Sequence, residues 1–260
     1  MHRYCTAFVF SFLPFQALTT SSASGKKWWI EEREISYTLS ASVMAAQSGI
    51  NLPIPPSLSN ILALGNPDVN DSKLDLPGSQ AEVENLKTLY NSTQVHIRKE
   101  ASRQRVLEQA SSAGVLHLAA HAFVDELDPK HSYVLLANPT ANSGRAGGQL
   151  EVGDFRSLRL SKTSLVALSA CNSGIGRVAR GDEFAGFKSA VMMAGAPRML
   201  VSLWPVNDEA TAQLMNEFYK SVAKDTSSQA LREAQLSLIR RPEFSSPFMW
   251  AAFVLVGQPN

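Results

Sequence analysis

The chain has 260 residues, 45% of them hydrophobic and 18% charged, which is globular composition and enough to bury one large core. With 24 basic against 23 acidic residues and a formal net charge of +1, neither the basic face of a nucleic-acid binder nor the acidic excess of a disordered chain is present. Two cysteines, Cys5 and Cys171, are too few for a secreted disulfide framework. No CxxC or HExxH spacing calls for zinc, and nothing in the sequence asks for another metal or a cofactor.

In chain order, Met1 to Arg3 and the apolar run Tyr4 to Phe15 precede a Ser/Thr-rich stretch. Two readings compete there: an export signal over residues 1–24, or a strand of the domain itself. The apolar run is too short and too interrupted to span a bilayer. Ile61 to Gly65 reads as a strand ending at the turn Gly65-Asn66-Pro67. Ser79 to Tyr90 has a helical stripe at Val83, Leu86, Leu89 and Tyr90, with Ser79 and Glu82 as its capping box. Gln94 to Arg98 is a strand, and Ser102 to Ala110 a helix with Val106 and Leu107 facing inward. Val115 to Ala119 and Tyr133 to Ala137 are strands. Asn142 to Gly148 is a Gly-rich loop and Glu151 to Leu158 a short helix. Leu165 to Ser169 is the most apolar strand, a pattern that predicts burial on both faces. Phe184 to Ala194 is a helix and Arg198 to Leu203 a strand. Asn207 to Val222 is a long helix capped by Asn207 and Asp208. Ser228 to Ile239 is a helix, and Phe248 to Val256 closes the chain as a strand. This alternation predicts an α/β fold: a mostly parallel central sheet with helices on both faces. No repeat and no long linker divides it, so residues 1–260 are expected to form a single domain.

In parallel sheets functional groups sit beyond the carboxyl ends of strands. Two such ends carry chemistry here: Ala120-His121-Ala122 after Val115 to Ala119, and Ala170-Cys171-Asn172 after Leu165 to Ser169. A thiol and an imidazole at adjacent strand ends are what cysteine nucleophilic catalysis needs, because the imidazole raises the thiolate fraction and later protonates the leaving amine. A packed thiol and a hydrogen-bonded histidine would give the same pattern. His117 shares strand parity with His121, yet a mid-strand imidazole reads as a satisfied core histidine. His131 falls in a loop and takes no role. Gly174 to Ala179 fits the dinucleotide fingerprint in form. A polar segment separates it from the strand, however, and Ala196 and Pro197 stand where an acidic ribose ligand is expected, so the glycines read as a loop beside the nucleophile.

Leu116 to His121 resembles the first motif of the CHAT domain, a caspase-like domain often fused to TPR repeats. Leu165 to Gly174 resembles its second. Gly181 to Gly186, Ala194 to Ala196 and Val201 to Asp208 resemble its third block, and Trp250 to Gly257 its last strand. Gly65 to Pro67 and Leu76 to Gly78 with Glu82 match earlier blocks, and Phe12 to Leu18 and Glu34 to Ser40 the opening strands. The resemblance covers nearly the whole chain. It implies a caspase-hemoglobinase three-layer fold, related to caspases and separases, and a cysteine endopeptidase with His121 and Cys171 as its dyad. Backbone amides of Ala122 and Cys171 would form the oxyanion hole. It also implies that residues 12–18 are a domain strand, that the family's first strand is missing, and that the protein is cytoplasmic rather than exported.

One departure stands out: the family usually has Gly after the catalytic His, where this chain has Ala122. If that position needed φ > 0, Ala would be strained and the oxyanion donor displaced. The alternative expectation is therefore a weakened or inactive scaffold that binds a regulatory protein, such as a TPR protein in trans or within a longer parent chain. Ala120 replaces a frequent Thr. Several relatives cleave after basic residues through a buried carboxylate. Asp182 and Glu183 are the candidates for that substrate pocket, with a helix cap as their competing role; Asp125 and Glu126 are weaker ones. A protein substrate is expected, and neither nucleic acid nor membrane.

Overall fold

In a computed structural model, residues 2–5, 13–22, 25–40, 42, 58–125, 128–138, 145–169 and 185–258 are described. The strands are β1 (His2–Cys5), β2 (Thr19–Ser22), β3 (Gly25–Trp28), β4 (Ile35–Thr38), β5 (Ile61–Pro67), β6 (Gln94–Arg98) and β7 (Val115–Ala119). They continue with β8 (His121–Phe123), β9 (Tyr133–Leu135), β10 (Gln149–Glu151), β11 (Leu165–Ser169), β12 (Arg198–Ser202) and β13 (Phe253–Gly257). The helices are α1 (Trp29–Glu32), α2 (Pro77–Leu89), α3 (Arg103–Gln109), α4 (Val152–Ser157), α5 (Ala185–Met193), α6 (Asp208–Val222), α7 (Ser227–Ile239) and α8 (Pro247–Trp250).

Among the described residues, eight strands form one sheet in the order β1-β4-β13-β12-β11-β7-β5-β6. Every pairing in it is parallel except β12 with β13. The central strands are buried along their whole length, as continuous apolar runs require when both faces are covered. On one face Leu62, Leu64, Leu116, Leu118, Val166 and Leu168 pack with Val106, Phe155 and Phe187 of α3, α4 and α5. On the other, Ile61, Ala63, Val115, Leu165 and Ala167 pack with Val83 and Leu86 of α2, Leu214 and Phe218 of α6, and Leu231 of α7. The expected three-layer α/β sandwich is present. A smaller antiparallel sheet, β10-β9-β8, continues from the carboxyl end of β7.

Several elements differ from the sequence expectation, each for a local reason. Pro77 starts α2 two residues early, at the position where its missing N–H costs nothing. No capping box forms: Ser79 Oγ donates to the Leu76 carbonyl and accepts from the Asn66 N–H, and Glu82 points into the interior at 3% exposure. Leu107 is 37% exposed while Val106 is fully buried, so α3 turns one of the two inward, not both. Residues Phe15–Ala17 form a 3₁₀ turn instead of a strand, which lets the Gln16 amide donate to the Ala251 carbonyl at 2.6 Å. Strand β1 pairs with β4 ahead of that turn, at the edge of the large sheet. Pro247 likewise opens the short helix α8, and the closing strand begins only at Phe253. The loop expected over residues 142–148 is described only from Arg145, as a 3₁₀ turn.

Candidate active site

Strands β7 and β11 are neighbours, in register from Val115 opposite Leu165 to Ala119 opposite Ser169. The offset of that register is 50 residues, which is also the sequence separation of His121 from Cys171. Each residue therefore follows two positions after the last paired residue of its strand. Cys171 itself lies outside the described residues, as do Ala170, Gly174 to Ala179, Asp182, Glu183 and Glu126.

His121 opens β8, at 6% exposure. Its Nε2 lies 3.0 Å from the Leu74 carbonyl oxygen. A carbonyl only accepts, so Nε2 carries the proton, and in the neutral ring Nδ1 holds the lone pair. Leu74 reaches this place because the loop between β5 and α2 is tightly held. Asn66, at φ 44°, accepts the Leu76 N–H through its side chain at 2.9 Å, and Asp71 caps the turn Ser72–Leu74. Sequence reading missed this partner, since a backbone carbonyl has no residue signature.

Ala122 occupies the middle of β8, opposite Val134, with no solvent exposure. Among the described residues, positive φ outside glycine occurs only at Asn60, Asn66, Asn70 and Arg98, so Ala122 carries no left-handed strain. The condition under which Ala would be strained here is therefore not met. The ladder also fixes where its amide points. Leu136 N–H donates to Gly148, and Val152 N–H to Ser132, so residues 132, 134 and 136 bond toward β10. Alternation then directs Tyr133 and Leu135 toward β8, where they meet Phe123 and His121. The Ala122 N–H therefore faces away from β9, on the outer side of the edge strand β8.

His117 does not share a strand with His121; the chain changes sheets at Ala120, between β7 and β8. His117 is the buried core histidine expected of it, but its surroundings are unusual. Nε2 lies 2.7 Å from Glu82 Oε1, close enough for strong electrostatic contact although the ring N–H is not aligned on that oxygen. Nδ1 meets the Tyr219 hydroxyl at 3.0 Å, and Ser169 Oγ donates to Glu82 Oε2 at 3.1 Å. Burial raises the Glu82 carboxyl above its usual range, and the His117 ring and the Ser169 hydroxyl offset this in part while Asp208 adds to it. Glu82 was legible as an anomaly: Ser79, Glu82, Val83 and Leu86 form one i, i+3, i+4, i+7 stripe, with a carboxylate on its buried face.

Of the weaker candidates, Asp125 is exposed and shapes its own loop, its N–H donating to Ser132 Oγ and its carboxylate accepting the Asp128 N–H. His131 is exposed in the following turn. Among the described residues, no helix is long and apolar enough to cross a membrane.

The three-layer α/β sandwich with a mostly parallel central sheet is the fold of caspase-like cysteine proteases. Solved structures agree: yeast (Saccharomyces cerevisiae) separase in its complex with securin superposes with a TM-score of 0.52 at 14% identity, over 87% of this chain and 14% of that one. The Arg-specific cysteine proteinase gingipain R superposes at 0.55 and 10% identity, over 86% of this chain and 54% of that one. The chain belongs to the CHAT domain family, which it matches over residues 9–258. Tetratricopeptide repeat protein 28 of Homo sapiens is 24% identical across 94% of this chain, and the chain spans only 11% of that relative's length.

Proposed function

We propose that the chain is a single CHAT domain acting as a cysteine endopeptidase, with Cys171 as nucleophile and His121 as general acid and base. The observation that carries this reading is the shared offset: β7 and β11 are paired 50 residues apart, and so are His121 and Cys171. In the reaction, the Cys171 thiol gives its proton to His121 Nδ1 as sulfur bonds to the substrate carbonyl carbon. The imidazolium returns that proton to the amine as the C–N bond breaks, and water then hydrolyses the thioester. The Leu74 carbonyl holds the ring in the tautomer this needs and stabilises the imidazolium by accepting from Nε2. The outward N–H of Ala122, with that of Cys171, supplies the oxyanion donors. Asp182 and Glu183 are the carboxylates proposed to receive a basic substrate side chain, in keeping with the Arg specificity of gingipain R.

The test is Cys171→Ala together with labelling by a thiol-directed peptide inhibitor. Loss of cleavage and of labelling is expected; turnover surviving Cys171→Ala would refute the assignment. A second reading, a scaffold that docks on a protein partner, is favoured by the relation to a tetratricopeptide repeat protein and by the separase–securin complex. It holds if the intact protein binds a TPR-containing partner and cleaves no arginine-containing peptide.

A further inference from the structure

The endopeptidase reaction makes no use of the buried chain Ser169–Glu82–His117–Tyr219. Its members come from β11, α2, β7 and α6, and they are 4%, 3%, 0% and 0% exposed. Their neighbours on this face are Ala63, Ala119 and Ala167, an apolar setting in which a carboxyl is costly to bury. A carboxyl there gives up stability that an apolar side chain would keep, so it calls for a role. What it supplies is a fixed acceptor. Ser169 is the last residue of β11, and its hydroxyl is tied across the sheet to a helix that is itself locked onto α6. Asp208 of α6 accepts the Gly78 N–H of α2 at 2.6 Å, and the Tyr90 hydroxyl donates to the Tyr219 carbonyl.

We propose that Glu82, held by His117, is a positioning residue: by accepting the Ser169 hydroxyl it fixes the carboxyl end of β11, from which the chain runs on to Cys171. This rests on the proposed His121–Cys171 pairing. Through Ser169, the anchor sets how closely the thiol is presented to the imidazole, and so how much of it is thiolate. Among the described residues, the groups that face Glu82 are His117, Ser169, Tyr219 and Asp208, and Tyr90 acts through Tyr219.

The experiment reads the thiol rather than peptide turnover. In a Cys5→Ser background Cys171 is the sole thiol. Its alkylation by iodoacetamide is followed against pH in that protein and in His121→Ala, Ser169→Ala, Ser169→Thr and Glu82→Met, each with a thermal melt. His121→Ala should move the midpoint up, which reports the dyad. Ser169→Ala should move it up by about one unit, a tenfold loss of rate on the acid side. Ser169→Thr should restore it, and Glu82→Met should move it up by as much as Ser169→Ala, with the double variant moving it no further. If Ser169→Ala lowers the melting temperature but leaves the midpoint in place while His121→Ala moves it, the positioning role is refuted and the dyad stands. If His121→Ala also leaves the midpoint in place, the dyad reading falls, and the positioning role with it. Ser169→Ala removes only a hydroxyl, so the test survives should Glu82→Met not fold.

Discussion

Ala122 shows how much one backbone angle decides. A methyl group strains the backbone itself only where φ is positive, and here the residue is extended strand with its side chain in the core. Ala122→Gly should therefore bring no gain in peptide turnover. It should instead cost about 1 kcal/mol of stability, from the lost buried methyl and the freer unfolded chain, read as a lower denaturant midpoint at unchanged slope. A rise in turnover would mean that the amide is held off its productive direction. His121 makes the complementary point. Its identity as a candidate was visible from a strand-end position, but the Leu74 carbonyl that sets its tautomer was not, because that contact is made by backbone from a different loop.

At the level of elements, the candidate site depends on how α2 lies on β5. Gly65 is the close contact: a Cβ there would stand 2.6 Å from the Ser79 carbonyl oxygen and 2.7 Å from Val83 Cγ2. Gly65→Ala should push α2 off the sheet at a cost of about 1–3 kcal/mol, read by chemical denaturation. The same displacement would disturb both Glu82 and the loop bearing Leu74, so thiol reactivity should fall along with stability. The strand patterns of β5, β7, β11 and β12 were readable because burial on both faces leaves no alternative to a continuous apolar run. The closing segment was not read correctly. Phe248, Trp250 and Val254 are all apolar, and periodicity alone cannot separate a helical turn opened by Pro247 from the strand that follows it.

For the whole molecule, the buried carboxyl links folding to pH. Glu82 holds its proton more tightly folded than unfolded, so its contribution is fully present below the unfolded value near 4.5 and is lost as pH rises through the higher folded value. Each unit between the two values is worth about 1.4 kcal/mol. Glu82→Gln keeps the shape and removes the titration. Its melting temperature should gain on the wild type as pH rises above 4.5, and parallel curves for the two proteins would show that the carboxyl does not titrate in this range. At this scale the division of labour is clear. The sequence by itself determined the layer architecture, the family and the two strand ends, because hydrophobic period and motif are local properties of the chain. Tertiary structure alone decided the unstrained angle and outward amide of Ala122, the carbonyl behind His121 and the burial of Glu82 against His117 and Ser169. The last two join residues tens of positions apart, and only the packing of α2 and the loop before it on the sheet brings them within hydrogen-bonding distance.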